Sequence, residues 1–236
     1  RVLDWARRIV GDNRAMRQEI RALKRGLAGH LRIAAIPTAL PIVASLTTPL
    51  HIAHPEVEFT ILSRTSIEVL SLLDNLEVDA GLTYVDNEPL GPVRSVPLYY
   101  EHYRLLIAAD HPLGTRDSVT WTEVGRIPLC LLTPDMQNRR IIDRRLAEAG
   151  IEPGPTLQSN SMVVLFSHVL TGRWASVMPA VLAETMGLGE PIRAIPISDP
   201  VPPPTVGLVY PRREPMTPLT AALVGEALRV GKDWMG

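Results

Sequence analysis

Cysteine is nearly absent from this chain of 236 residues, since Cys130 is the only one. An intramolecular disulfide is therefore impossible, and a structural zinc site built from several cysteines is excluded. No apolar run approaches the roughly 18 residues that a membrane-spanning helix needs, and the basic N-terminal region lacks the apolar stretch of a secretion signal. These absences predict a soluble, cytoplasmic protein whose hydrophobic core needs no covalent or metal staple.

Catalytic motifs are also missing from the sequence. It contains no G-x-S-x-G, H-E-x-x-H or C-x-x-C pattern, which are the arrangements that common hydrolases, zinc proteases and redox proteins use. Gly225 and Gly231 precede a lysine, but their spacing is one residue too long for a phosphate-binding loop, and Asp233 stands where Ser or Thr holds magnesium. We therefore expect no catalytic residue, no metal site and no cofactor.

Charge is present in balanced amounts but is unevenly distributed. Residues 1–25 carry eight basic and three acidic side chains, a net charge of +5, while the remainder carries −6. Apolar or small residues recur every three or four positions in this basic segment, which predicts a long amphipathic helix with one apolar seam. We expect the seam to pair with a second copy of the chain; the alternative is docking on the chain's own body. The expected oligomerisation residues are Leu3, Val10, Met16, Ile20 and Leu23.

Strand and helix patterns alternate after Gly29. A β-α-β-α-β block ends near Tyr84, which predicts a parallel sheet with helices on its faces. A second α/β block follows from about Tyr103, and residues 99–108 are predicted to form one long strand. The order predicts two lobes with a ligand cleft between them. The expected divisions are a linker helix over 1–28, lobe I over 29–100 and 200–236, and lobe II over 101–199.

Polar side chains follow four of the predicted strands, at the points where helices open. Taken singly, each is explained as a helix N-cap. Parallel strands, however, bring their carboxyl ends to one edge of a sheet, where hydroxyls, amides and helix N-termini suit an anion. The pattern predicts a carboxylate-binding site without an obvious catalytic acid or base. The residues concerned are Thr38, Thr65, Ser66, Thr133, Gln137, Asn138, Asn160 and Ser161.

A series of short motifs resembles the effector domain of LysR-type transcriptional regulators. No single motif is specific, but their order and spacing along most of the chain are similar to that family. Two departures stand out, since Asn75 lies where glycine is usual and Trp174 replaces a glycine. The motifs are Gly29–Ala34 after a long basic helix, His54–Phe59, Leu76–Leu82, Pro97-Leu98 with His111–Leu113, and Thr171–Pro179.

The resemblance implies a two-lobed α/β fold of the type 2 periplasmic-binding-protein kind. Each lobe is a mostly parallel sheet with flanking helices, and a long linker helix that dimerises precedes them. It also implies the sensing part of a DNA-binding regulator whose winged helix-turn-helix this chain lacks. The family's carboxylate-binding positions fall on Thr38 with Ala39, Thr65 and Ser66. The corresponding effector-binding positions in the opposite lobe are Thr133, Gln137, Asn138 and Ser161.

In this interpretation a small, anionic metabolite shifts the geometry of a homodimer or homotetramer and so controls transcription. DNA is contacted only through the missing N-terminal domain, and no membrane is involved. A solute-binding protein of a transporter is the alternative, since it shares the fold. An enzyme on this fold needs an acid in the cleft, and Glu68 is the sole near candidate.

Overall fold

The chain divides into two compact units. Unit 1 comprises Arg1–Tyr100 with Pro204–Gly236, and unit 2 comprises Glu101–Pro203. The chain therefore leaves unit 1 after Tyr100 and returns to it at Pro204. The computed structural model describes residues 2, 5, 9, 11–13, 16, 20, 26–86, 88–185, 187, 191–198 and 200–235.

Unit 1 is built on a five-stranded sheet with the order β2-β1-β3-β11-β4. β1 pairs in parallel with both β2 and β3, whereas β11 runs antiparallel to β3 and β4. β11 is thus the one reversed strand of this sheet, and it is the first strand after the chain returns from unit 2. The strands are β1 (Gly29–Ala35), β2 (Val57–Ser63), β3 (Ala80–Tyr84), β4 (Val93–Tyr100) and β11 (Thr205–Pro211).

Three α-helices of unit 1 accompany this sheet: α1 (Leu40–Ala53), α2 (Ser66–Asp74) and α7 (Pro218–Met235), with a short 3-10 turn at Pro37–Ala39. The start of α2 is fixed by a capping box, in which the Thr65 hydroxyl accepts the Glu68 N–H and the Glu68 carboxylate accepts the Thr65 N–H. Helix α2 lies close to the sheet at Gly81, where an added Cβ falls 2.4 Å from Val69 Cγ1. Only glycine permits this approach, because real Cβ atoms do not come so near another carbon.

Unit 2 contains a four-stranded sheet with the order β6-β10-β5-β9 and a β7-β8 pair. β5 runs antiparallel to β10 and β9, while the β6–β10 and β7–β8 pairs and the Leu129–Ala175 bridge are parallel. β5, the first strand after the entry into unit 2, is therefore reversed in an otherwise parallel set. The elements are β5 (Tyr103–Ala108), β6 (Val119–Thr120), α3 (Trp121–Val124), β7 (Cys130–Leu132), α4 (Gln137–Glu148), β8 (Leu157–Ser159), α5 (Met162–Val169), β9 (Ser176–Pro179), α6 (Ala180–Thr185) and β10 (Ile192–Ser198).

The prediction of one long strand over residues 99–108 is wrong. β4 ends at Tyr100, β5 begins at Tyr103, and the two strands belong to different sheets. Hydrophobic patterning cannot reveal this break, because both flanks are β-prone and the chain changes sheet within two residues. Those two residues are Glu101 and His102.

The described residues before Gly26 are all helical, in agreement with the predicted N-terminal helix. Gly11 is buried, with the Leu76 side chain and the Arg213 guanidinium beside it, and Asp12 forms an ion pair with Arg213. One face of this helix thus contacts the rest of unit 1. Exposed apolar side chains are Val2, Trp5, Ile9, Met16 and Ile20; the predicted seam residues Leu3, Val10 and Leu23 lie outside the described residues.

No helix in the described part of the chain has both the length and the apolar character that crossing a membrane requires.

Candidate functional site

The carboxyl ends of β1, β2 and β3 meet at one edge of the unit 1 sheet. Beyond the regular ladder, the Arg64 N–H donates to the Ala35 carbonyl at 2.9 Å, which ties the exit of β2 to the end of β1. The Ile36 N–H donates to the Leu82 carbonyl at 3.1 Å, which ties the exit of β1 to β3. The segments that follow these strands are therefore held side by side, as the sequence pattern predicted.

Three buried hydroxyls near this edge have no hydrogen-bond partner in the part of the chain that the structure describes: Thr38, Ser66 and Thr83. Their residues are 0%, 3% and 1% exposed. A buried hydroxyl without a hydrogen-bond partner lowers the free energy of unfolding by about 1–3 kcal/mol. Three of them at one edge therefore destabilise the fold unless a ligand provides their partners. We call these three residues the hydroxyl cluster.

Thr83 is the member of the hydroxyl cluster that the sequence did not reveal. It lies inside β3, two residues after Gly81, so both residues share the face of the sheet that α2 covers. Ser66 is the first residue of α2. The pattern of polar residues after strands indicates Thr38 and Ser66, but it does not include Thr83, which lies within a strand near its end.

The other two residues predicted in this unit have local roles. The Thr65 hydroxyl accepts the Glu68 N–H at 3.2 Å as a helix cap. Ala39 is fully buried, and its N–H donates to the Ile36 carbonyl within the 3-10 turn. Glu68, the acid considered for an enzyme, accepts the Thr65 N–H at 2.8 Å. Thr65, Ala39 and Glu68 are thus explained by local structure, and a ligand role for the first two stays a prediction.

Helix geometry adds positive potential to the same edge. Helices α1 and α2 both begin there, and α1 has neither a side-chain cap nor an acidic residue in its first turn. The free N–H groups and partial positive charge of a helix start favour an anion. Helix α2, in contrast, has Glu68 in its first turn as part of the capping box. The donors that a ligand can use are therefore the three hydroxyls and the uncapped start of α1, which is an arrangement suited to a carboxylate.

In unit 2, three of the four predicted residues lie at or just before the start of α4, and the fourth, Ser161, lies at the start of α5. Gln137 and Asn138 are the first two residues of this helix, and each is 4% exposed. The Gln137 Nε2 and Thr133 Oγ1 atoms are buried and find no hydrogen-bond partner among the described residues. Ser161 precedes α5 without capping it through its side chain, and its own N–H donates to the Ser159 hydroxyl.

Glu101 is a buried carboxylate that the sequence interpretation missed. It is 1% exposed, and its Oε1 accepts from the Tyr103 hydroxyl at 3.0 Å and from the Asn138 Nδ2 at 3.4 Å. It was missed because it sits in the stretch that was predicted to be one continuous strand. The described residues contain no group of three or more His, Cys, Asp and Glu side chains that could hold a metal ion.

Comparison with known proteins gives the family. The sequence matches the LysR substrate binding domain over residues 24–232. The chain belongs to this family. It is 25% identical over 235 residues to the DNA-binding transcriptional dual regulator OxyR of Escherichia coli K12, covering 98% of this chain and 76% of OxyR.

Two solved structures show the same fold. Full-length OxyR C199D from Pseudomonas aeruginosa superposes with a TM-score of 0.79 at 22% identity, covering 99% of this chain and 76% of that one. The effector-binding domain of QuiR in complex with shikimate has a TM-score of 0.72 at 22% identity, covering 87% and 98%. The predicted fold class, the two-lobed periplasmic-binding-protein-like fold of LysR regulatory domains, is thereby confirmed.

Trp174, where the LysR resemblance expects a glycine, leaves the local turn intact. The left-handed residue of that turn is Gly172, at φ +72°. The Trp174 indole N–H donates to the Thr156 hydroxyl at 2.9 Å, and its ring meets the His168 ring edge-on at 5.4 Å. The substitution therefore places a large ring beside α5 and leaves the turn to Gly172.

Cys130 provides a test of the packing of unit 2. Burial raises the pKa of its thiol to about 11. The unfolded thiol ionises near its ordinary value of 9.0, so raising the pH between 9 and 11 favours unfolding. We expect the free energy of unfolding to fall by about 2 kcal/mol between pH 8 and pH 10.5 through this group alone.

The measurement is urea unfolding at both pH values for the native chain and for Cys130→Ala, which removes the titrating thiol. The difference between the two pH dependences isolates Cys130 from the tyrosines and lysines. The native thiol is also expected to resist Ellman's reagent at pH 7 until the protein unfolds. Rapid labelling of the folded chain, or identical pH dependences, contradicts this account of a sealed interior at β7.

Proposed function

We propose that this chain is the effector-sensing and oligomerisation part of a LysR-type transcriptional regulator, and that the hydroxyl cluster of unit 1 binds a small carboxylate. The observation that carries the proposal is the burial of Thr38, Ser66 and Thr83 without a hydrogen-bond partner among the described residues, at the sheet edge where two helices start. A carboxylate has two oxygens that accept several hydrogen bonds. Such a ligand satisfies all three hydroxyls and gains from the uncapped start of α1.

The alternatives are less well supported than regulation. The OxyR relative is named a transcriptional regulator, which favours a regulator over the solute-binding protein of a transporter. An absence of catalytic activity stays a prediction, as does a cytoplasmic location, which follows from a role at DNA. Contact with DNA is assigned to a winged helix-turn-helix outside this chain.

Control of transcription follows from preferential binding. A ligand shifts a conformational equilibrium only by the ratio of its affinities for the two states. We propose that carboxylate binding stabilises one arrangement of the oligomer and so changes the spacing of its DNA-binding heads. The oligomer itself is assigned to the exposed apolar residues of the N-terminal helix, with dimer and tetramer both compatible with that surface.

Thr38→Val tests the hydroxyl cluster. Valine has nearly the shape of threonine but cannot donate a hydrogen bond, so we expect the carboxylate ligand to bind about tenfold more weakly. The melting temperature without ligand is expected to stay unchanged or rise, because a buried hydroxyl without a partner is removed. Titration calorimetry provides the affinity, using the best ligand from a panel of acetate, succinate, malate, citrate, benzoate and shikimate; shikimate is included because QuiR holds it.

Thr47→Val is the matched control for this test. Thr47 lies in α1, and its hydroxyl donates to the Val43 carbonyl of the same helix at 3.0 Å. It is therefore expected to leave the affinity unchanged. Equal affinities for native protein and Thr38→Val remove Thr38 from the site.

A further inference from the structure

The carboxyl end of α2 has a leucine in a backbone conformation that usually belongs to glycine. The Glu77 N–H donates to the Leu72 carbonyl at 2.9 Å. The Leu76 N–H donates to the Leu73 carbonyl at 3.0 Å. These two bonds form a Schellman motif, in which the residue after the helix cap takes a positive φ. Here that residue is Leu76, at φ +56°, and a leucine side chain makes this conformation unfavourable, whereas glycine adopts it freely.

The N-terminal helix has the opposite anomaly at Gly11. Within a helix, glycine is less favourable than any residue except proline, yet Gly11 lies in the helical stretch 11–13 and is buried. A Cβ added to it falls 2.6 Å from Leu76 Cδ1 and 3.1 Å from Arg213 Nη1. A real Cβ atom does not come as near another carbon as 2.6 Å, so the glycine makes room for the Leu76 side chain. We call this contact the Leu76–Gly11 interlock.

Each residue of the Leu76–Gly11 interlock explains why the other is present. Leucine at position 76 makes the end of α2 less favourable, but it provides the side chain that contacts the N-terminal helix. Glycine at position 11 weakens that helix locally, but it accommodates the leucine. Two residues that are each unfavourable in their own element meet at one contact. The contact between the elements therefore accounts for both residues, and such exceptions to local preference are typical of functional positions.

An ion pair accompanies the Leu76–Gly11 interlock. Asp12, next to Gly11, pairs with Arg213, whose guanidinium also lies beside Gly11. The side chains of Asp12 and Arg213 are 63% and 22% exposed, so the pair is partly hydrated and adds little to the strength of the contact. Its two fixed ends nevertheless restrict the rotation of the N-terminal helix about its axis. The apolar interlock holds the helix, and the ion pair orients it.

Helix α2 connects the Leu76–Gly11 interlock to the hydroxyl cluster. Its nine residues, Ser66–Asp74, span about 13 Å. Ser66 at its start belongs to the hydroxyl cluster, and Leu76 follows its end. Val69, between them, packs so closely on the sheet that only Gly81 admits it. Because so short and tightly packed a helix moves as one body, a displacement at Ser66 reaches Leu76.

We propose that the Leu76–Gly11 interlock is a regulatory latch, which docks the N-terminal helix on unit 1 and is coupled through α2 to carboxylate binding at the hydroxyl cluster. The latch rests on the proposed function, because its ligand is the carboxylate assigned to that cluster. Coupling between two equilibria is reciprocal. If undocking the helix changes the carboxylate affinity by some factor, the carboxylate changes the docking equilibrium by the same factor. A ligand in unit 1 thereby acts on the helix to which the oligomer is assigned.

Hydrogen exchange of the amides at residues 11–13 tests the docking. Leu76→Gly removes the contacting side chain and suits the left-handed position, so we expect exchange at least tenfold faster with an unchanged or higher melting temperature. Loss of an ordinary core leucine lowers the melting temperature instead. Asn75→Gly, at the preceding residue with φ −78°, keeps Leu76 in place and is the matched control, with exchange as in the native chain.

Gly11→Gln tests the same contact from the N-terminal helix, and it keeps the test decisive if Leu76→Gly does not fold. Glutamine favours the helix but fills the gap that Leu76 occupies, so exchange is again expected to be at least tenfold faster. Combined with Leu76→Gly it is expected to have little further effect, because both changes remove one contact. Repeating the series with Ile20→Asp keeps the pairing of two copies from masking the result.

Titration calorimetry with the best carboxylate of the panel tests the coupling. The affinity of Leu76→Gly is expected to differ at least fivefold from that of the native chain, while Asn75→Gly retains the native affinity. Reciprocity fixes the accompanying sign. Tighter binding by Leu76→Gly requires that saturating carboxylate speed the exchange at residues 11–13 in the native chain, and weaker binding requires that it slow this exchange.

Native exchange rates in both Leu76→Gly and Gly11→Gln overturn the latch. Equal affinities of the native chain and Leu76→Gly for a carboxylate that binds, or an effect on exchange of the wrong sign, also overturn it while leaving the hydroxyl cluster as the binding site. Failure of every carboxylate to bind overturns the proposed function and the latch together. Faster exchange in both variants, with a changed affinity and the matching sign, supports the latch.

Discussion

Ser66→Asp is expected to lower the affinity for every small carboxylate at least a hundredfold. Ser66 is 3% exposed and is the first residue of α2, so an aspartate there places a fixed negative charge within the hydroxyl cluster. Two like charges about 4 Å apart repel by roughly 4 kcal/mol at an effective dielectric constant near 20, which exceeds the ~2.7 kcal/mol of a hundredfold change. Titration calorimetry against the best carboxylate of the panel measures the loss.

The same substitution need not damage the fold. An acidic residue in the first turn of a helix gains about 0.3–1 kcal/mol from the helix dipole, which offsets part of the burial cost. Ser71→Asp, further along α2 at an exposed position, is the matched control and is expected to retain native affinity. A folded Ser66→Asp protein that binds carboxylates as the native chain does refutes the anion site at this edge.

Ile20→Asp is expected to reduce the size of the proposed oligomer. Ile20 and Met16 are 46% and 55% exposed, on a helix whose exposed apolar residues recur at spacings of three, four and seven. This repeat is typical of a helix that pairs with another helix. A buried charge without a partner in such a seam costs several kcal/mol, which is enough to dissociate a dimer at micromolar concentration.

Light scattering coupled to size exclusion measures the mass of the Ile20→Asp protein. Trp5→Asp repeats the test at the other end of the helix, and Leu228→Asp, at an exposed leucine of α7, is the control that should keep the native mass. If Ile20→Asp and Trp5→Asp both run as the native oligomer, this helix face does not hold the copies together, and its role is limited to docking on unit 1.

Most of the strand and helix order could be predicted from the sequence, because hydrophobic periodicity depends on which side of each element is buried. The helix beginning at Leu40 and the strand beginning at Val57 start at their predicted residues. The predicted strands and helices are wrong where tertiary contacts, and not local periodicity, determine the structure. The break between Tyr100 and Tyr103 and the short β6–α3 segment carry no period that a pattern can reveal.

The left-handed backbone position near α2 shows a similar limit. Asn75, which stands where the family usually has glycine, has φ −78°, while Leu76 has φ +56°. Leucine in this region is strained by about 1 kcal/mol or more. The sequence motif does not reveal that Leu76 adopts the left-handed conformation. The Leu76 side chain lies close to Gly11, and this contact joins residues far apart in the chain.

The candidate site was predictable in part for a physical reason. The residues after parallel strands share an edge by topology alone, which brings Thr38 and Ser66 together without any knowledge of side-chain contacts. Which hydroxyls cap helices and which remain without partners depends on rotamers, so Thr65 could not be separated from Ser66. A search for polar residues after strands does not find Glu101 or Thr83. Glu101 follows a strand that was predicted to continue, and Thr83 lies within a strand, near its end.

The central claim is most directly tested by melting the chain in the presence of the small-carboxylate panel, with the uncharged amides of the same acids alongside. A carboxylate at one hundred times its dissociation constant adds about 2.7 kcal/mol of stability, or roughly 5–10 °C for a chain of this size. The account predicts such a shift for at least one carboxylate, none for its amide, and none for either in Ser66→Asp. A shift that is equal for acid and amide, or one that survives in folded Ser66→Asp, contradicts it.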